Sequence, residues 1–183
     1  MNQYLTVYGN MRNRTVYYKE RPLDDYHFYN GKLFDKVRIV QYPSYFEGGS
    51  KTTLSYDSFN HNKLIPATEQ TDGISFKKDL VVDLKKNTID GIFLDNFYNL
   101  IYCVKGYLFL NVTNMTPGTN NYLESESFIL SPESSIQVLI PPFYGFSYKS
   151  LSDSIIIDKL AFKSEETFLQ KKIDINQIKI EWP

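Results

Sequence analysis

Short runs of β-branched and aromatic residues, each cut off by glycine or proline, recur along most of this chain, and that rhythm limits it to an all-β fold. Turn signals stand at Pro43, Gly48-Gly49, Asp72-Gly73, Gly106, Pro117-Gly118 and Pro132. Around them the pattern predicts strands over Val37–Gln41, Leu80–Leu84, Leu100–Val104, Tyr107–Val112, Ser127–Leu130, Ile136–Ile140, Phe146–Ser150 and Ser154–Phe162. Most of these runs are too short for a helix that buries one face. A tight hairpin is expected at Lys105-Gly106, where glycine suits a positive φ. One short helix is predicted near the C-terminus, with Ser164 as its cap, Glu165 and Glu166 in its first turn, and Phe168, Leu169 and Lys171-Lys172 completing it.

Length and charge then exclude several function classes. A chain of 183 residues and 21.4 kDa holds one domain with a sizeable core. With 20 basic and 21 acidic residues spread along it, the net charge of −1 gives no electrostatic footprint for nucleic acid or an anionic membrane. The near-apolar run Ile136 to Phe146 is broken by Gln137 and two prolines, so no bilayer span is expected. One cysteine rules out an intrachain disulfide framework, and the polar Asn2 and Gln3 after Met1 lead us to expect a cytoplasmic protein. His27 and His61 stand far apart with no neighbouring histidine, so neither a metal site nor a cofactor is expected. Cys103, alternating with Tyr102 and Val104 in a strand, reads as a small buried hydrophobe.

Aromatic residues are the material this chain has in quantity: 15 Tyr and 13 Phe. Seven of them fall in the first thirty residues, which are otherwise polar and carry turn signals at Gly9-Asn10 and Asn30-Gly31. Residues 1–36 accordingly read as an appended strand-rich arm or partner-contacting extension ahead of a domain over 37–183.

Three segments of that domain resemble the dTDP-4-dehydrorhamnose 3,5-epimerase (RmlC-like) family, a branch of the cupin jelly rolls. Ile89-Asp90-Gly91-Ile92-Phe93 sits where the family carries Leu-Arg-Gly-Leu-His, and Asn99 to Gly106 follows like its Lys-Leu-Val strand and hairpin glycine. Ile140-Pro141-Pro142-Phe143-Tyr144-Gly145-Phe146-Ser147-Tyr148 is similar to its Ile-Pro-x-Gly-Phe-Ala-His-Gly-Phe stretch. The terminal Ile180-Glu181-Trp182-Pro183 looks like the family's Ile-Asp-Trp-Pro, and Tyr45 to Ser50 like its early Asp-x-Arg-Gly-Ser turn. The resemblance implies an all-β, cupin-type double-sheet jelly roll, a two-fold homodimer, and a nucleotide-sugar or carbohydrate ligand.

It also implies a reaction that this chain is badly equipped to run. The family's epimerisation uses a histidine base with a carboxylate orienter, a tyrosine acid, and basic residues around a 4-keto group. Here the base position holds Phe93 and the second histidine position Phe146, while Asp90 and Asn99 replace the arginine and lysine. The tyrosine position falls on Asp158 or Lys159, and the orienting carboxylate falls near Asp174. A phenyl ring accepts no proton, and a positioned base is worth roughly 10² to 10⁴ in rate.

Two sets of candidate residues remain. Asp158 and Lys159 interrupt the apolar run Ile155 to Leu160, and strand alternation turns one of them inward, where it serves either as a substitute proton-transfer group or as a structural polar pair. Asp90 and Asp95 offer a second carboxylate. Phe93, Asn99, Tyr102, Tyr144, Phe146 and Tyr148 are the candidate ligand-binding set, forming either an aromatic cavity for a sugar or a filled aromatic core. The expected function is that of a nucleotide-sugar epimerase homologue of surface-polysaccharide sugar biosynthesis without the standard 3,5-epimerase activity. A non-catalytic cupin that binds a sugar or a protein is the alternative.

Overall fold

The structure, a computed structural model, describes residues 6–10, 15–19, 27–30, 38–41, 65, 73–134, 136–163 and 170–183. Thr6–Asn10 (β1) and Thr15–Lys19 (β2) form a two-stranded antiparallel sheet. His27–Asn30 (β3), Arg38–Gln41 (β4), Ser75–Leu84 (β5), Ile89–Asp95 (β6), Tyr98–Lys105 (β7), Leu108–Asn114 (β8), Ser125–Leu130 (β9), Ile136–Ile140 (β10), Tyr144–Ser150 (β11), Ser154–Phe162 (β12) and Gln170–Lys172 (β13) build the rest. They make a six-stranded sheet in the order β3-β4-β10-β7-β12-β5 and a five-stranded sheet in the order β13-β6-β11-β8-β9.

Two antiparallel sheets with alternating side chains bury one face each against the other. The six-stranded sheet contributes Leu84, Ile101, Cys103, Val138, Ile140 and Ile156, and the five-stranded sheet meets them with Leu108, Leu110, Val112, Leu130, Phe146 and Tyr148. Each Leu or Ile fully buried this way contributes about 1.5–3 kcal/mol relative to exposure. A smaller cluster, Tyr98, Leu100, Leu139 and Ala161 with Ile65, covers the opposite face of the six-stranded sheet.

Several elements differ from expectation, each for a physical reason. The glycine at Gly106 does adopt φ +79°, but the turn passes from one sheet to the other and forms no hairpin ladder: β7 pairs with β10 and β12, β8 with β11 and β9. The loop after β11 clasps this turn. Tyr107 N–H donates to Ser152 Oγ at 2.9 Å, and a Cβ on Gly106 would lie 2.5 Å from Asp153 O. β6 was not apparent as a strand because Asp90 and Gly91 interrupt its apolar pattern. Gly91 has φ +116°, and a side chain there would meet Ser147 Cβ at 2.5 Å, where the β6–β11 register shifts at Phe146/Ser147. Of the expected C-terminal helix, Ser164 to Leu169 lie outside the described residues. Lys171 and Lys172, expected to finish it, instead pair with β6 in β13.

Beyond β13, Ile173 exchanges two backbone hydrogen bonds with Ile92, and a 3-10 turn over Ile175–Gln177 follows. Asp174 caps that turn by accepting from Asn176 N–H at 3.0 Å, so this carboxylate has a local structural task. The tail then crosses the outer face of the five-stranded sheet. Trp182 packs edge-on to Phe109 at 5.7 Å, and the Lys149 ammonium donates to the Pro183 carbonyl. No helix among the described residues is long and apolar enough to cross a membrane.

Candidate functional site

At one end of the space between the sheets, aromatic rings and carboxyl groups converge. Phe93 from β6 faces Phe146 from β11 with ring centroids 5.4 Å apart, and lies 6.1 Å from Tyr148. Tyr144, Phe146 and Tyr148 share the inner face of β11 by strand alternation and all belong to the main core. Lys172 from β13 lies over the Phe93 ring at 5.4 Å and ion-pairs with Asp90 at the half-exposed rim.

Asn99 and Asp158 bring polar groups into this apolar setting. On β7, Asn99 has the parity of the inward residues Ile101 and Cys103; on β12, Asp158 has that of Ile156. Alternation sends the next residue the other way. Lys159 points to the outer face, where its ammonium holds both carboxylate oxygens of its cross-strand neighbour Asp79 at 2.8 and 2.9 Å. Tyr102 likewise shares the outward parity of Leu100. The structure therefore brings together Phe93, Asn99, Tyr144, Phe146, Tyr148 and Asp158, and sets Tyr102 and Lys159 apart from them.

Asp95, at the end of β6, completes the cluster from the opposite sheet. Its Oδ2 accepts from Asn99 Nδ2 at 2.9 Å and from Gln170 Nε2 at 3.4 Å. Gln170 carries no sequence signal for this role, since only the pairing of β13 with β6 puts it opposite Asp95. Among the described residues, four buried oxygens have no hydrogen-bond partner: Asp95 Oδ1, Asn99 Oδ1, Asp158 Oδ1 and, on the outer face of β11, Ser147 Oγ. Leaving a buried polar atom unsatisfied costs about 1–3 kcal/mol, so three in one cluster is a heavy concentration.

Burial controls the protonation of the cluster. It pushes the Asp95 carboxyl up to about 6, against the opposing pull of the hydrogen bonds from Asn99 and Gln170. Burial, then repulsion from Asp95 and Asp79, raises Asp158 well above the usual carboxylate range. The Tyr148 phenol is pushed up to about 12 by burial and by the negative charge of Asp90 and Asp158. The cluster thus combines a carboxyl at Asp158 that burial biases toward its protonated form, a second raised carboxyl at Asp95 and a neutral phenol. Cys103 is no nucleophile: burial pushes its thiol up to about 11, and its Sγ donates to the Lys105 carbonyl at 3.0 Å. Among the described residues, no group of three or more His, Cys, Asp or Glu is placed to hold a metal ion.

Comparison with solved structures identifies the fold. The dTDP-6-deoxy-D-glucose-3,5-epimerase of Legionella pneumophila, solved with dTDP-4-keto-L-rhamnose, superposes with a TM-score of 0.69 at 17% identity, covering 86% of this chain and 84% of its own. The dTDP-4-dehydrorhamnose 3,5-epimerase of Sulfolobus tokodaii gives 0.68 at 16% identity, with 86% of each chain covered. The Streptococcus suis RmlC, solved with dTDP-D-xylose, gives 0.65 at 11% identity, covering 86% of this chain and 82% of its own. No protein-family model matches the sequence, nor does any curated protein sequence. The fold of this chain is the RmlC-type double-sheet cupin.

Proposed function

We propose that this chain is an RmlC-like nucleotide-sugar-binding protein of surface-polysaccharide sugar biosynthesis that does not catalyse the standard 3,5-epimerisation. The observation that carries this reading is the Phe93–Phe146 contact at 5.4 Å, which puts two hydrocarbon rings where the family resemblance implies two histidines. Neither ring accepts a proton, and the lysine and arginine positions hold Asn99 and Asp90, so the developing enolate loses both its base and its cationic stabilisation. The aromatic faces of Phe93 and Tyr148 remain suited to a sugar ring. A two-fold homodimer and a cytoplasmic setting belong to the same proposal.

Solvent deuterium exchange at C3 and C5 of dTDP-4-keto-6-deoxyglucose tests it, because exchange reports base action even when no epimer accumulates. The expected result is no exchange above background, together with a rise in melting temperature on adding the sugar nucleotide. A second reading draws on the raised carboxyls of Asp95 and Asp158, two buried acids in one site that are able to exchange protons with a substrate. Exchange that disappears in Asp158→Asn with the protein still folded establishes a substitute-residue enzyme and overturns the inactive reading.

A further inference from the structure

The three unpartnered oxygens of the interior cluster come from three strands and belong to residues only 2% (Asp95), 1% (Asn99) and 7% (Asp158) exposed. Asn99 makes this more than a pair of acids. Its amide nitrogen is committed to Asp95 Oδ2 at 2.9 Å, which fixes the orientation of the amide and leaves its carbonyl oxygen as a free acceptor. In the β7–β12 ladder Asn99 opposes Leu160 and Asp158 opposes Ile101, so Asn99 and Asp158 are diagonal neighbours on one face, a separation of roughly 7–8 Å between such positions. Asp95 reaches them from the facing sheet.

A carboxylate and an amide oxygen are acceptors. The group that satisfies several of them at once must donate in several directions, as a primary ammonium does with its three N–H bonds. A keto oxygen, itself an acceptor, satisfies none of these three oxygens. The rim already holds one ammonium by the same chemistry, since Lys172 is gripped by the Asp90 carboxylate and the Phe93 ring face. We propose that Asp95, Asn99 and Asp158 form a subsite for a primary ammonium group carried on the sugar ring of the bound nucleotide sugar. This rests on the nucleotide-sugar reading above and names the substituent that the sugar carries.

Charge balance gives the proposal a distinct signature. Asp158 feels the charge of Asp95 from β6 and of Asp79 on β5, the latter occupied by Lys159; Tyr148 from β11 feels both Asp158 and Asp90, and Asp90 is held by Lys172 of β13. An ammonium entering among them favours the ionised form of Asp158 and opposes the upward shift that burial imposes, so cation binding is coupled to release of protons held by that carboxyl.

Calorimetry on the full chain near pH 7, with a dTDP-4-amino-4,6-dideoxyhexose and its 4-hydroxy counterpart, tests this in two buffers of different ionisation enthalpy. The amine is expected to bind at least about tenfold tighter, as a charge-assisted contact does, and to release protons that the hydroxyl compound does not. Asp158→Asn and Asn99→Leu should each erase that preference, so that the two compounds bind with nearly equal affinity. If neither variant folds, the tighter binding of the amine by the unaltered chain decides alone. Equal binding of the two compounds with no proton release overturns the ammonium subsite and leaves the nucleotide-sugar reading standing. Failure of both to bind overturns that reading and the subsite with it.

Discussion

The two sheets each bury a row of polar side chains, and the rows differ in how they are satisfied. On the outer face of the five-stranded sheet, under the C-terminal tail, Thr113 Oγ1 bonds Asn111 Oδ1 at 3.1 Å and Ser125 Oγ at 2.7 Å, while Asn111 Nδ2 donates to Ser127 Oγ at 3.0 Å. Lys179, Ile180 and Glu181 of the tail border a groove of about 290 Å³ beside this row. Ser147 alone among these neighbours, crowded by Gly91, leaves its hydroxyl unpartnered. Between the sheets the balance is reversed, with Asp95, Asn99 and Asp158 each leaving an oxygen unpartnered. A row whose members satisfy one another is a structural device. One that leaves its acceptors open lowers stability in a way that only a bound group offsets.

The contrast should be plainest in the pH dependence of stability. Asp95 has a folded-state pKa of about 6 against an ordinary 3.8, so the stability it contributes is fully present below about pH 4 and is lost as pH rises through 6. By linkage that loss is roughly 3 kcal/mol, and Asp158, raised by the same burial, adds to it with the same sign. Urea unfolding at a series of pH values should show it, and Asp95→Asn should flatten the slope below pH 6. An unchanged slope in that variant assigns the titration elsewhere.

A smaller effect separates the rows by sign. Asp158→Leu removes an unsatisfied buried acid from an apolar site and should stabilise the unliganded protein by about 2 kcal/mol at pH 7. Destabilisation in the same melt would mean that Asp158 is held by a partner and belongs with the structural row. Smallest is Thr113→Val, which should cost about 1 kcal/mol, because it strips Asn111 and Ser125 of a shared hydroxyl. A neutral Thr113→Val would erase the distinction.

The rows were unequally legible in the sequence. Alternation within Ile155 to Leu160 showed that Asp158 and Lys159 must face opposite ways, but the choice between them depends on which side of β12 the five-stranded sheet lies, a tertiary fact. Strands rich in β-branched and apolar residues, Ile136–Ile140 and Ser154–Phe162, coincide with the expected bounds. β6 and β13 were not, because their pairing with β11 and with each other supplies what their own composition lacks. Tyr102 looked like a wall of the site only because aromatic type does not encode facing. The Asn99–Asp95–Gln170 contacts link three separate strands, and no local pattern announces them.

The pairing of β5 has a consequence for how the chain is made. Its sheet neighbour is β12, and Leu84 meets Ser154 across 70 positions of sequence, so β5 emerges from the ribosome long before the strand that completes it. Closing so distant a contact is slow, typically on the millisecond-to-second scale for sheet-rich domains. Until β12 arrives, β5 and one side of β7 are open strand edges, and β5 carries the solvent-facing Val81 flanked along the strand by Lys77, Lys78, Asp79 and Asp83. Those charges are the features that discourage a nascent edge from pairing with another chain. Asp158, carried on β12, takes its place only when that wait ends, so a chain stalled before residue 154 has most of its core sequence but only Asp95 of its interior acid pair.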